Sequence, residues 1–258
     1  MPTAAVNDDR LPQPFPILQP SYPWIVFDLD GTLADSFQLI VKSFNFAARA
    51  FLQQKLSLEQ ATSIPGRTLE DQLANYVPEN ALPMVVERYH RYFARHFKPQ
   101  INIFPGIRPL LFNLQRRGIK LAVFTGACER STETILVQSG LSKYFTTIVT
   151  SEDVTAPKPN PEGLRIAIKA LGADSNSTVY IGDHPDDIRA SKSAGAKAAA
   201  AFWGSTHRDE LTALKPDFDF RQPSEALSLS AYRVSYTSDD AHMSRLSPLR
   251  SFAVQQVQ

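Results

Sequence analysis

From residue 104 onward the apolar positions fall into two alternating rhythms. Short runs rich in β-formers predict strands: Trp24-Ile25-Val26-Phe27, residues 119–124 (IKLAVF), 146–150, Thr178-Val179-Tyr180-Ile181 and the alanine-rich 197–202. Helices are predicted between them at 107–117, 129–139, 161–171 and 186–194, closing at or near Gly118, Gly140, Gly172 and Gly195. Repeated helix-to-strand units of this length predict an α/β fold, a doubly wound parallel sheet covered on both faces. Residues 36–103 break the rhythm. Phe37, Ile40, Val41, Phe44, Ala47, Ala48 and Phe51 recur at helical spacing. Pro65-Gly66 marks a turn, and Thr68 can cap a helix with Glu70 and Asp71 in its first turn. Pro83 can open another, with Val85, Val86, Tyr89, Phe93 and Phe97 on one face. This segment reads as a helical cap inserted after the first strand, the core being 24–35 and 104–230. Residues 1–23, with six prolines, read as an extended, poorly ordered arm, and 231–258 as a polar tail.

Composition narrows the partners. Lysine plus arginine total 27 against 26 for aspartate plus glutamate, so a net charge of +1 gives no reason to expect nucleic acid or a membrane surface. A small anionic substrate stays open, because it needs local positive charge only. The single cysteine, Cys128, excludes a disulfide framework and a zinc site built on several thiolates; it reads as inert. No apolar run approaches the ~20 residues that span a bilayer. The N-terminus lacks the basic and apolar regions of a secretory signal. The expectation is a cytoplasmic protein, monomeric or weakly dimeric.

Chemistry gathers at predicted strand ends. Asp28 and Asp30 follow the first strand, and Asp183 and Asp187 follow strand 178–181. Ligands of open α/β sheets bind beyond the carboxyl ends of the strands. Carboxylates collected there repel one another unless a cation sits among them; a hard divalent ion suits oxygen ligands, and magnesium suits phosphate chemistry. Thr125-Gly126 follows strand 119–124. Lys158, between Pro157 and Pro159, follows strand 146–150 on a stiff loop. Together these groups describe a phosphoryl-transfer site.

Asp28-Leu29-Asp30-Gly31-Thr32-Leu33 resembles the DxDGT(L/V) signature of haloacid dehalogenase-like hydrolases. Thr125 matches their second motif, Lys158-Pro159-Asn160-Pro161 the third, and Gly182-Asp183-His184-Pro185-Asp186-Asp187 the fourth, GDxxxD. The likeness covers roughly residues 24 to 229. With Ala34-Asp35-Ser36 and the helical insert, the pattern is similar to the phosphoglycolate phosphatase-like branch. The resemblance implies a Rossmann-like core in which the second and fourth motif strands flank the first. It implies Asp28 as nucleophile and Asp30 as acid and base. Thr125, Gly126 and Lys158 would hold the phosphoryl group. Magnesium would lie on Asp28, the Asp30 carbonyl and Asp183, with Asp187 as ligand or orienter. Gly126 stands where many relatives carry asparagine. Asp186 reads as an exposed helix-start acid and His184 as a loop residue.

The substrate implied is a small phosphate monoester, phosphoglycolate first. Pyrophosphate, sugar phosphates and nucleotides are alternatives. A phosphosugar mutase ranks below these, because Phe37 to Phe46 holds no histidine. A silent binding protein of the same fold ranks below them too, because Asp28, Asp30, Lys158 and Asp183 are all present. Arg67, at a helix start where the dipole disfavours a cation, is a candidate contact for a second anionic group of the substrate.

Overall fold

The computed structural model describes residues 17–62, 64, 68–100 and 102–235. The chain divides into two units, Pro20–Ala231 and the two termini. In chain order the elements are β1 (Ile17–Pro20), β2 (Trp24–Phe27), β3 (Ala34–Asp35), α1 (Phe37–Ala47), α2 (Leu58–Thr62), α3 (Leu69–Ala74), α4 (Leu82–Gln100), β4 (Asn102–Ile103), α5 (Ile107–Arg116), β5 (Lys120–Phe124), α6 (Glu129–Gln138), β6 (Phe145–Val149), α7 (Glu162–Leu171), β7 (Thr178–Gly182), α8 (Pro185–Ala194), β8 (Lys197–Ala201), α9 (Arg208–Ala213), β9 (Phe218–Phe220) and β10 (Tyr232–Ser235). In the terminal unit, β1 and β10 form a two-stranded sheet. Residues 17–20 lie in the segment expected to be an extended, poorly ordered arm, and 232–235 in the expected polar tail. Pairing between segments so far apart leaves no local periodic signal.

In the larger unit six parallel strands form one sheet in the order β6-β5-β2-β7-β8-β9. Because side chains alternate across a strand, the sheet buries two faces. Ile25, Phe27, Leu121, Val123, Val179 and Ile181 point to one face and join Leu110, Leu111 and Leu114 of α5 and Ile135 and Leu136 of α6 in the main core. Val26, Ala122, Phe124 and Tyr180 point to the other, against Leu164, Ala167, Ile168 and Leu171 of α7. The α/β, doubly wound reading agrees with this sheet. The sixth strand, β9, has three residues and went unread; so short a run gives no pattern.

Within residues 36–103, α1 packs against α4, and Val85, Tyr89, Phe93 and Phe97 are buried as their helical spacing predicts. Thr68 caps α3 through a reciprocal pair: its hydroxyl accepts from the Asp71 amide at 3.2 Å, and Asp71 accepts from the Thr68 amide at 3.0 Å. The chain leaves and re-enters the core through a neck not read in the sequence, the antiparallel pair β3–β4, with Ala34 opposite Ile103 and Asp35 opposite Asn102.

Candidate active site

Parallel register makes the site. Phe27 is level with both Val123 and Ile181, so β2, β5 and β7 end at one edge. The residues that follow, Asp28, Thr125 and Asp183, leave the sheet together. Lys158 comes to them from the loop after β6. Glu162, at the start of α7, pins that loop by accepting from the Thr155 amide and hydroxyl at 2.9 and 2.7 Å and from the Ala156 amide at 3.1 Å. The Lys158–Pro159 peptide is cis.

The Lys158 ammonium donates to Asp28 Oδ1 at 2.7 Å, to Asp187 Oδ1 at 2.7 Å and to the Tyr180 hydroxyl at 3.0 Å. Its three protons therefore match three acceptors. Asp187 also accepts from the His184 amide at 2.9 Å. Asp183 accepts from the Thr32 hydroxyl at 3.1 Å. Asp28, Asp183 and Asp187 are all buried and offer oxygens that lie within 4.8 Å of one another. Asp30 stands beside this triad, half-buried, its carboxylate accepting from the Ser36 hydroxyl.

Burial dominates the electrostatics. It pushes Asp28 up to about 7, against the pull of Lys158 and with the push of Asp187. Burial also raises Asp183 well above the usual carboxylate range, helped by Asp28 and Asp187. Asp30 is raised by the same cause, which Ser36 and Lys158 only partly oppose. Burial opposes the charge on Lys158; Asp187 and Asp28 outweigh it and hold the ammonium well above its ordinary range. The three buried carboxylates thus gather around one fixed cation, and burial holds Asp28 and Asp183 above their ordinary range. Their donors are all hard oxygens, with no thiolate or imidazole in the set. That chemistry fits a divalent, oxygen-preferring metal ion, and this triad could hold one.

The Thr125 hydroxyl accepts from the Ala127 amide at 3.0 Å, which leaves its own proton for an oxygen in the site. Gly126 is exposed, and a side chain there would meet nothing within 4 Å. Gly31 is the opposite case. Its φ is +83°, and a Cβ would lie 2.3 Å from Asp183 Oδ2, so only glycine lets the loop after β2 pass this close. Asp186 pairs with Arg189 at 2.8 Å, as a helix-start acid does. His184 is more than a loop residue: its Nδ1 accepts from the Asp186 amide at 3.2 Å and caps α8. Cys128 is buried, 3.1 Å from Ser131 Oγ, and burial pushes its thiol up to about 11, consistent with an inert role. Arg67 and Pro65-Gly66 lie outside the described residues.

Some contributors went unread. Trp203 donates to the Thr32 carbonyl at 2.9 Å, and a Cβ on Gly204 would sit 1.8 Å from the Gly31 carbonyl, so the loop after β8 presses on the backbone of the loop after β2. Tyr180 had been read as a strand residue only. Its signal was present: a phenol among apolar neighbours on a buried strand needs a partner for its hydroxyl.

Comparison with known proteins places the chain. The sequence matches the haloacid dehalogenase-like hydrolase family over residues 25–201. It is 31% identical to the pyrophosphatase PpaX of Halalkalibacterium halodurans over 205 residues, 80% of this chain and 95% of that protein. The fold is similar to a structure described as a predicted phosphoglycolate phosphatase from Haemophilus somnus, with a TM-score of 0.71 and 21% identity over 81% of this chain and 98% of that one. It is also similar to CbbY from Rhodobacter sphaeroides in complex with phosphate, with a TM-score of 0.69 and 22% identity over 80% and 96% of the two chains. On this match across most of its length, and on the parallel sheet that carries all four motifs, the chain is an enzyme of the haloacid dehalogenase-like hydrolase family.

Proposed function

We propose that the enzyme is a magnesium-dependent phosphatase that acts on a small phosphorylated substrate through a phosphorylated Asp28. One observation carries the reading. A buried carboxylate at the end of the central strand is paired at 2.7 Å with a lysine that also holds Asp187, and Asp183 completes an acidic triad. Such a group has an attacking oxygen and a fixed cation to receive phosphoryl charge.

Asp28 attacks phosphorus, and the bond to the leaving oxygen breaks. Asp30, whose burial favours its protonated form, gives that oxygen a proton. A water then attacks the aspartyl phosphate while Asp30 takes a proton back, releasing phosphate and restoring the free carboxylate. Lys158, the Thr125 hydroxyl and the Gly126 amide hold the phosphoryl oxygens. Asp28, Asp183 and Asp187, with the Asp30 carbonyl, would hold magnesium, which when bound offsets charge on the carboxylates and the transferring group.

Inorganic pyrophosphate comes first among substrates. The relative at 31% identity, matched over 95% of its length, is named a pyrophosphatase. Phosphoglycolate comes second, supported by the motif pattern around Ala34-Asp35-Ser36 and the helical insert. The test is turnover of both, beside other small phosphate esters, with magnesium and after chelation. The expected result is magnesium-dependent phosphate release and an acid-stable, hydroxylamine-sensitive phosphoenzyme. Full activity after exhaustive chelation, or no hydroxylamine-sensitive phosphate on the wild type, would contradict the reading.

A further inference from the structure

The Tyr180 hydroxyl stands where three of the four motif loops meet. It accepts from Lys158 of the third motif at 3.0 Å. Its single proton faces two acceptors, the carbonyl of Phe124 at 2.8 Å and Asp187 Oδ1 of the fourth motif at 3.0 Å. Phe124 is the residue before Thr125, so that carbonyl belongs to the peptide that launches the second motif. Tyr180 is fully buried, and its ring packs 5.7 Å from that of Phe124. The two rings flank the lysine, whose Nζ lies 5.6 and 5.3 Å from their centroids. A phenylalanine would supply the same ring and the same packing; only the hydroxyl explains a tyrosine.

We infer that Tyr180 is a positioning residue for the phosphoryl-transfer step, fixing the Lys158 ammonium relative to the Thr125 strand end. The inference rests on the function proposed above. Lys158 has three protons and spends them on Asp28, Asp187 and Tyr180. Two of those bonds join opposite charges, and the third goes to a neutral oxygen. An arriving phosphoryl oxygen takes the third proton at least cost, because a charge-assisted bond is roughly twice as strong as a neutral one. The hydroxyl thus accepts that proton until substrate claims it. Without it the ammonium keeps its two carboxylates but loses the neutral acceptor of its third proton.

The experiment is Tyr180→Phe, assayed with para-nitrophenyl phosphate at saturating magnesium, beside Asp28→Asn. The expected result is a kcat lower by about 10-fold, the size of one misdirected hydrogen bond. KM, melting temperature and the magnesium concentration for half-maximal activity should stay at wild-type values. A wild-type kcat would overturn the inference. A kcat loss accompanied by a lower melting temperature would overturn it in favour of a packing role. A raised magnesium requirement would overturn it in favour of action through Asp187. Turnover retained by Asp28→Asn would sink the phosphoenzyme reading, whatever Tyr180→Phe does.

Discussion

The strand-end site and the cap both pair lysines or arginines with acids, and they do so under opposite conditions. At the strand ends Lys158 meets Asp28 and Asp187 at 2.7 Å, with 14%, 7% and 1% of the three side chains exposed. Where the cap meets the core, Arg130 of α6 meets Glu87 of α4 at 2.6 Å, with 53% and 45% exposed. The geometry is alike and the consequence is not. Water screens the second pair, and holding two long side chains in place costs entropy, so such a pair contributes little. In the first, burial has removed most of the water from every member, so removing one partner leaves an uncompensated charge or an unmet donor. Chemistry concentrates where the sheet has already excluded water.

The strongest way to break the comparison is Asp28→Asn. It keeps the shape of the strand-end group and removes the proposed nucleophile and one partner of Lys158. Turnover should fall to background and the hydroxylamine-sensitive phosphoenzyme should vanish, read by phosphate release and acid-quench labelling. Gly31→Ala comes next. A methyl 2.3 Å from the Asp183 carboxylate, at a φ of +83°, must displace the loop after β2 or the acid. A destabilisation of about 1–3 kcal/mol is expected in thermal melts, with a large loss of kcat. Gly126→Ala, where the added carbon meets nothing, should leave the melt unchanged, and equal damage at both glycines would refute the contrast.

Acidity sharpens the same point. Folding raises Asp28 from 3.8 to about 7 and raises Asp30 and Asp183 as well. A carboxyl whose folded value lies above its unfolded value contributes stability that is fully present below the unfolded value and is lost as pH rises through the folded one. The metal-free protein should therefore melt at progressively lower temperature as pH climbs from about 4 through about 7. Magnesium should flatten that slope by stabilising the ionised triad. A melting temperature independent of pH across this window, in chelator, would contradict the buried-carboxylate account. The smallest effect belongs to the cap: Glu87→Gln should barely move the melting temperature or kcat/KM, and a large loss would show that this exposed pair does more than exposed pairs do.

Much of this molecule was legible in the chain, and the gaps are instructive. Strand and helix positions in the core agree to within a residue or so at most ends, because apolar periodicity and closing glycines are local signals. Asp28, Thr125, Lys158, Asp183 and Asp187 were each placed at a strand end. The short elements β3, β4 and β9 were missed, having too few residues to carry a period.

The order of elements, the run of helices after the first strand and the motif loops are legible in the chain, since apolar spacing, turn residues and strand-end acids are all written within a few neighbouring positions. That the second and fourth motif strands flank the first was expected through family resemblance alone, and the sheet order shows it. Only the tertiary structure decided which atoms meet. Lys158 reaches Asp28 across 130 positions, Trp203 reaches Thr32 across 171, and the Tyr180 hydroxyl finds a carbonyl 56 positions away. These contacts depend on register between strands and on exclusion of water by packed faces. Both are properties of the assembled sheet, which brings distant residues within a few ångströms, and no local stretch of chain encodes them.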